Sequence, residues 1–458
     1  MRIRIFLQRG QTLVLFLGFA AALVSVLLVA FNSGQTTNAK MRAMNAADAA
    51  AYSGAVWQAR TLNFQAYTNR AMVANEVAIA QSVSLRSWVS YVNNFINNGP
   101  AALLKLVPYL GAAVNAVGNV IKSVNQAVQS SLPMAETLLR GINQVYYPAQ
   151  VAMNASGTLV AQDLARNVAL KNGAQVSNAE IELFAKNTIA WTALTDSYIG
   201  TRGGKVNSDR RTRLREVTLA SRDGFTQSRD WSKGFPLVFE FRKQGGTDLI
   251  DFDAWKGLDS SRLQTGWTPK GWLVTVPMGW GGAQGYNPNK VSKTGIHGNT
   301  NDWNSIDGRA AQAEANGKNA KNIQSPFPNY RDIKNPKVKD ADLHVPFVVE
   351  VVVNKAQIKT SDDPAIQGKA ILHDGRIVDP APNFAGGNTG VYALSTACVR
   401  FSRPYGADRP GGVEYPSLFN PYWRASLATN SALSRGIVDG LKGLAPVAAI
   451  VDGSGSCG

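Results

Sequence analysis

The residues best suited to hold a cation are four aspartates set close together, Asp248, Asp251, Asp253 and Asp259. Hard cations such as calcium take clustered carboxylate oxygens. This run lacks the Gly and Glu placements of an EF-hand loop, so a solvated turn or a helix cap is the expected role. The three histidines, His297, His344 and His373, lie far apart and show no ligand spacing. Two cysteines, Cys398 and Cys457, are too few for a cysteine zinc site. No metal centre is expected. There is no Gly-x-Ser-x-Gly elbow, no P-loop and no His-Glu-x-x-His. Gly279-Trp280-Gly281-Gly282-Ala283-Gln284-Gly285 is rich in glycine but does not follow the dinucleotide pattern, and it reads as a flexible loop. No catalytic residue and no cofactor follow from these strings.

Trp255, Trp267, Trp272, Trp280 and Trp303 are concentrated in one stretch. An indole combines a large apolar face with one donor, which suits stacking on sugars or anchoring an interface. Trp267, Trp272 and Trp280 form the candidate ligand surface. Building the core of a loop-rich domain is the competing role and the expected one. The net charge is +16, from 47 basic and 31 acidic residues. The basic residues are scattered. Their densest cluster, Arg210-Arg211-Thr212-Arg213-Leu214-Arg215, reads as a solvated helical face. With no recognised motif, no nucleic-acid partner is expected.

These residues need elements to position them. Gln11 to Phe31 carries no charge and is mostly Leu, Val, Ala and Phe. It matches the roughly 20 residues a helix needs to cross a bilayer. Arg2, Arg4 and Arg9 precede it, and Lys40 and Arg42 follow, a modest bias toward a cytoplasmic N-terminus. The run is longer than the roughly 7–15 residues of a signal-peptide core, which favours an uncleaved anchor or pilin-type processing.

Residues 35–97 predict one long helix, continuous with the anchor and stopped by Gly99-Pro100. Ala43, Ala47, Ala50 and Gly54 form a narrow stripe of small residues on it. Val107, Leu110, Val114, Val117, Ile121, Val124 and Val128 repeat at spacings of three and four. They predict a second helix that buries this stripe on the first, as a hairpin. Further helices are expected at 134–146, 150–171 and 177–197, the last opened by a capping box of Ser177 and Glu180. Residues 1–160 hold only 11 basic and 3 acidic residues. Such a surface suits either self-association through the helical region or an internally packed bundle.

Near residue 201 the texture changes, and strand-like runs appear at Pro236–Phe241, Trp272–Pro277, Val345–Val353 and Val391–Phe401. The expected fold class is α+β: an N-terminal transmembrane helix continuing into a long helix and a helical hairpin region, then a mixed domain with an antiparallel sheet. The boundaries are 1–34 for the cytoplasmic stub and span, 35–200 for the helical region, 201–425 for the mixed domain, and 426–458 for a last helix, near 431–451, and tail.

Arg9-Gly10-Gln11, the apolar run, and Asn45-Ala46-Ala47-Asp48-Ala49-Ala50-Ala51-Tyr52-Ser53-Gly54-Ala55 together resemble the TadE/TadG-like pilus-assembly proteins of the bacterial Tad (Flp) system. The match covers about the first 55 residues. Glu414-Tyr415-Pro416-Ser417-Leu418-Phe419-Asn420-Pro421-Tyr422-Trp423 is similar to a string in large TadG-like chains. The resemblance implies a single-pass inner-membrane protein with its bulk periplasmic or extracellular. It implies a non-enzymatic accessory or minor pilin-like role, alongside inner-membrane and pilin components and membrane lipid. Pilin-type leaders are cut after a Gly, which makes Gly10-Gln11 the candidate junction. Leu15 stands where processed pilins carry Glu, which favours retention as an anchored subunit. The alternative reading is a pilus-associated surface adhesin or carbohydrate-binding module. In an oxidising periplasm Cys398 and Cys457 either pair, closing a loop worth about 4 kcal/mol, or stand as two separate thiols.

Overall fold

The structure, a computed structural model, describes residues 11–108, 110–200, 210–250, 252, 254–285, 314, 327–334, 343–360, 390–402, 416–431, 434, 436–437 and 457. The fold is α+β. It opens with α1 (Gln11–Asn97), a 3₁₀ turn (Pro100–Leu106) and α2 (Leu110–Lys171). Next come β1 (Gln175–Val176), α3 (Glu180–Leu194), β2 (Thr195–Tyr198), α4 (Thr212–Ala220) and α5 (Gly224–Gln227). The strands β3 (Trp231–Phe235), β4 (Phe239–Ile250), β5 (Ala254–Thr268), β6 (Gly271–Gly285), β7 (Tyr330–Ile333), β8 (His344–Asn354), β9 (Gly390–Phe401) and β10 (Trp423–Ala428) follow.

Two compact units are assembled from interleaved segments that cut across the consecutive stretches 35–200 and 201–425. The first takes residues 1–64, 153–195 and 333–458, and the second takes 65–152 and 196–332. Each long helix contributes one part to each unit.

In the first unit a four-stranded antiparallel sheet has the order β1-β8-β9-β10. The unbroken run Val348-Val349-Glu350-Val351-Val352-Val353 reflects a strand covered on both faces. Phe347, Val349, Val351 and Val353 join the core with the α1 alanines. Val348 meets Ala179 and Leu183 at α3. Asn187 on α3 donates to the Val348 carbonyl and accepts from its amide, both at 2.9 Å. Those bonds cover an edge of β8 beyond the two residues that β1 reaches.

In the second unit an antiparallel meander β3-β4-β5-β6 packs on α1. Gly281 lies against the helix so closely that a methyl there would collide with the Tyr91 backbone. The expected loop at 279–285 is therefore part of β6: its glycines are what let a strand approach a helix.

Several further expectations are corrected. The helices expected at 107–128, 134–146 and 150–171 are one helix, which carries Pro133 and Pro148 inside it. Each proline removes one backbone donor. Side chains on either side nevertheless grip α1: Glu136 takes Arg86, and Gln150 donates to Thr68 and Asn69. The valine stripe does not bury on α1. Leu110, Val117 and Val124 are exposed, while Gly118 faces α1, its carbonyl accepting from Asn97. No capping box opens α3. Ala179 is the cap residue, and Glu180 instead accepts from Arg166 of α2. The strand expected at Pro236–Phe241 is interrupted by the turn 236–238, with Leu237 at φ 63°.

Candidate functional site

The candidate site is the stretch of α1 where an exposed apolar surface gives way to a buried one. From Thr12 the helix is apolar and long enough to span a membrane, and its most apolar 18-residue window has no buried residue. Leu13, Leu15, Phe16 and Phe19 are all more than half exposed. A core helix of a soluble protein would have this face covered.

Burial begins at Asn32 and then follows helical spacing: Ala39, Ala43, Ala46, Ala47, Ala50, Ala51, Ala55, Ala59 and Leu62. Alanine gives a helix its highest propensity and leaves a low ridge. A low ridge lets the backbone settle deep on the sheet. Gly54 shows how deep, because a methyl at that position would overlap the Phe347 ring. Asp48 in the same box is half-buried and accepts a 2.6 Å hydrogen bond from Ser395 in mid-β9. Asn45 points outward. Trp57 and Gln58 donate to the Ser156 and Gly157 carbonyls of α2 at 3.1 and 2.9 Å.

The second family-like string closes onto the same helix. Of Glu414–Trp423, the described part runs from Pro416. Leu418 and Trp423 enter the core, and the Trp423 indole donates to the Ser417 carbonyl. Asn63 clamps the Trp423 backbone from both sides, donating to its carbonyl and accepting from its amide at 3.0 Å each. Sequence reasoning missed Asn63, and no local signal marks an amide that will meet a strand 360 residues later.

The other candidate residues are dispersed. Gly10, Arg2, Arg4 and Arg9 lie outside the described residues, as do Asp251, Asp253, Trp303, His297, His373 and nearly all of the expected 431–451 helix. Gln11 opens α1. Asp248 and Asp259 are not solvated caps. They are buried in the second unit's sheet. Asp259 accepts from Nε and Nη2 of Arg229 at 2.8 and 2.9 Å, from Lys243 at 2.5 Å and from Ser87 at 2.6 Å. Burial alone would raise its carboxyl, but Arg229 and Lys243 outweigh that and hold it below the ordinary range. Asp248 pairs with Arg222 at 3.4 Å.

The Arg210–Arg215 cluster is likewise turned inward in part. Arg211 is buried, donates to the Phe327 carbonyl and lies over Phe252. Arg213 pairs with Asp332 and Arg215 reaches the Leu249 carbonyl. Among the described residues no three of His, Cys, Asp and Glu are grouped to share a metal.

The tryptophans separate. Trp255 is fully buried and donates to Glu76 at 2.8 Å. Trp267 is exposed, opposite the half-buried Trp272. Trp280 is half-buried farther up β6, its carbonyl taken by Asn94. Cys398 and Cys457 form a disulfide with Cα atoms 5.8 Å apart, which ties the C-terminal end to β9.

The arrangement defines an α+β protein whose first helix combines an exposed apolar span with a small-residue ridge. Residues 10–59, the span and most of that ridge, match the Tad family model, described as Flp pilus-assembly TadE/G-like. The remaining residues lie outside that match. No curated protein and no solved structure matches the chain.

Proposed function

We propose that the chain is a non-catalytic, single-pass accessory component of a Tad/Flp-type pilus-assembly system, held in the inner membrane with its bulk outside the cytoplasm. The observation that carries this reading is the change within α1 from an apolar run with no buried residue in its most apolar window to a buried alanine ridge, inside the stretch that matches the pilus-assembly family. The lipid-facing part tethers, and the ridge fixes the first unit's sheet to the tether. The Cys398–Cys457 disulfide agrees with an oxidising compartment on the far side, as do the three arginines before the span. Leu15, in place of a pilin glutamate, supports retention over filament entry.

Deletion of the chain is expected to abolish piliation, and complementation by a chain lacking residues 12–31 is expected to fail. Mass spectrometry of the membrane-extracted protein is expected to find Met1 intact. A mature start at Gln11 together with recovery from sheared pili would replace the anchored accessory by a minor pilin.

A further inference from the structure

The second unit's sheet ends in two hairpin tips that are joined edge to edge. Gly266 donates to the Val238 carbonyl at 3.2 Å and Trp267 to the Leu237 carbonyl at 3.3 Å. These tips carry Phe235, Leu237, Val238, Phe239, Leu273 and Val274, each more than two-fifths exposed, with Trp267 beside them. Monomeric proteins rarely leave so contiguous an apolar group in water. Leu237 sharpens the point. It occupies a left-handed backbone conformation, φ 63°, that a bulky side chain adopts at a penalty and that Gly or Asn adopts readily. A sequence selected only to turn would not place an exposed leucine there.

Charge says what the tips meet. Residues 235–239 and 265–274 contain no Asp or Glu, and Lys270 sits exposed in the second tip; beside the first, Lys233 is exposed and Glu240 is half-buried. Apolar and aromatic side chains at a projecting tip, flanked by lysines, are complementary to a bilayer surface with anionic headgroups. The apolar groups enter the acyl boundary, the indole sits at the interface, and the lysines meet phosphate. We infer that the paired tips are a second, reversible membrane contact that docks the second unit onto an anionic lipid surface. This contact is independent of the N-terminal span and of the pilus reading.

The test uses the full chain held by its N-terminal helix in phosphatidylcholine nanodiscs and mixed with free vesicles. Vesicles of equimolar phosphatidylcholine and phosphatidylglycerol are expected to be captured in flotation, and pure phosphatidylcholine vesicles far less. The doublet L237G/V238S keeps the turn and is expected to weaken capture at least tenfold, in line with losing two inserted apolar side chains. K233E/K270E is expected to weaken it about fivefold for each lysine removed, and added salt to do the same. Leu237→Gly alone tests folding: it suits the backbone, so the melting temperature holds or rises while capture falls. Undiminished capture by L237G/V238S, or none by the wild type, overturns the inference. So does association of the nanodiscs with one another, without vesicles, that these substitutions abolish, because the occupant would then be a second copy of the chain.

Discussion

The two units solve the same problem, seating a sheet on α1, with different chemistry. In the first, alanines of α1 meet valines of β8 and β9 in a close, largely apolar interface. In the second, the same helix adds to its apolar contacts a set of polar ones, presenting Glu76, Ser84, Arg86, Ser87, Tyr91 and Asn94 to the sheet and to α2 in hydrogen bonds and an ion pair. Arg86 and Glu136 pair at 2.9 Å with almost no exposure. A small apolar ridge fixes distance and tolerates sliding. A buried polar network fixes register, because each displaced partner leaves a desolvated group behind. One helix thus carries a small-residue ridge and a polar face in succession, each seating its own sheet.

The comparison breaks first at Asp259. Replacing Asp259 by Ala strands Arg229 and Lys243 in the interior and is expected to destabilise the second unit by about 3–5 kcal/mol. Hydrogen exchange is the readout, with protection lost in β4–β6 and retained in β8–β9. Equal loss in both units would end the idea of separate stabilities. Removing the disulfide with C398S/C457S is expected to do the reverse, lowering the first unit by about 4 kcal/mol in denaturant melts.

A subtler probe of the first unit is Gly54→Ala. Its methyl pushes on Phe347, and the expected loss is about 1–3 kcal/mol by overpacking. Little effect would show a ridge looser than the geometry implies. Acid and base separate the units as well. Asp259 is held below its ordinary value, so its contribution is complete above about pH 3.8 and is lost as pH falls toward the depressed value. Lys256 goes the other way. Burial lowers it from 10.5 to about 8, so the folded state is penalised while the amine is charged. Stability of the second unit is therefore expected to rise as pH climbs from about 8 to 10.5, and Lys256→Met is expected to flatten that rise. The smallest effect is expected at Asp223, which caps the short α5 by accepting from the Thr226 amide at 3.0 Å. Asp223→Ala should cost about 1 kcal/mol in the same melts.

Much is legible in the sequence alone where the signal is local. The uncharged run from Gln11 to Phe31, the alanine stripe and the valine-rich β8 each announce themselves, because a helix apolar enough to span a bilayer, a close-packed helix and a doubly covered strand all demand a particular residue type at a fixed spacing. The expectation of a strand at Pro236–Phe241 fails at the turn 236–238, because an apolar run resembles a strand whether or not it turns. Pro236 is the clue to the turn that the sequence offers.

What tertiary structure alone decided was which polar residues face inward and which apolar ones face out. Asp248, Asp259 and Arg211 read as solvent groups, yet each is buried because its counter-charge or acceptor arrives from a connecting segment elsewhere in the chain. The glycines at 279–285 read as a loop, yet they form a strand because a helix lies against them. By itself the chain dictates its periodicities, and these fix the span and the ridge. The pairing of charges and the closeness of backbones depend on partners far away along the chain, and only the folded arrangement brings them within reach.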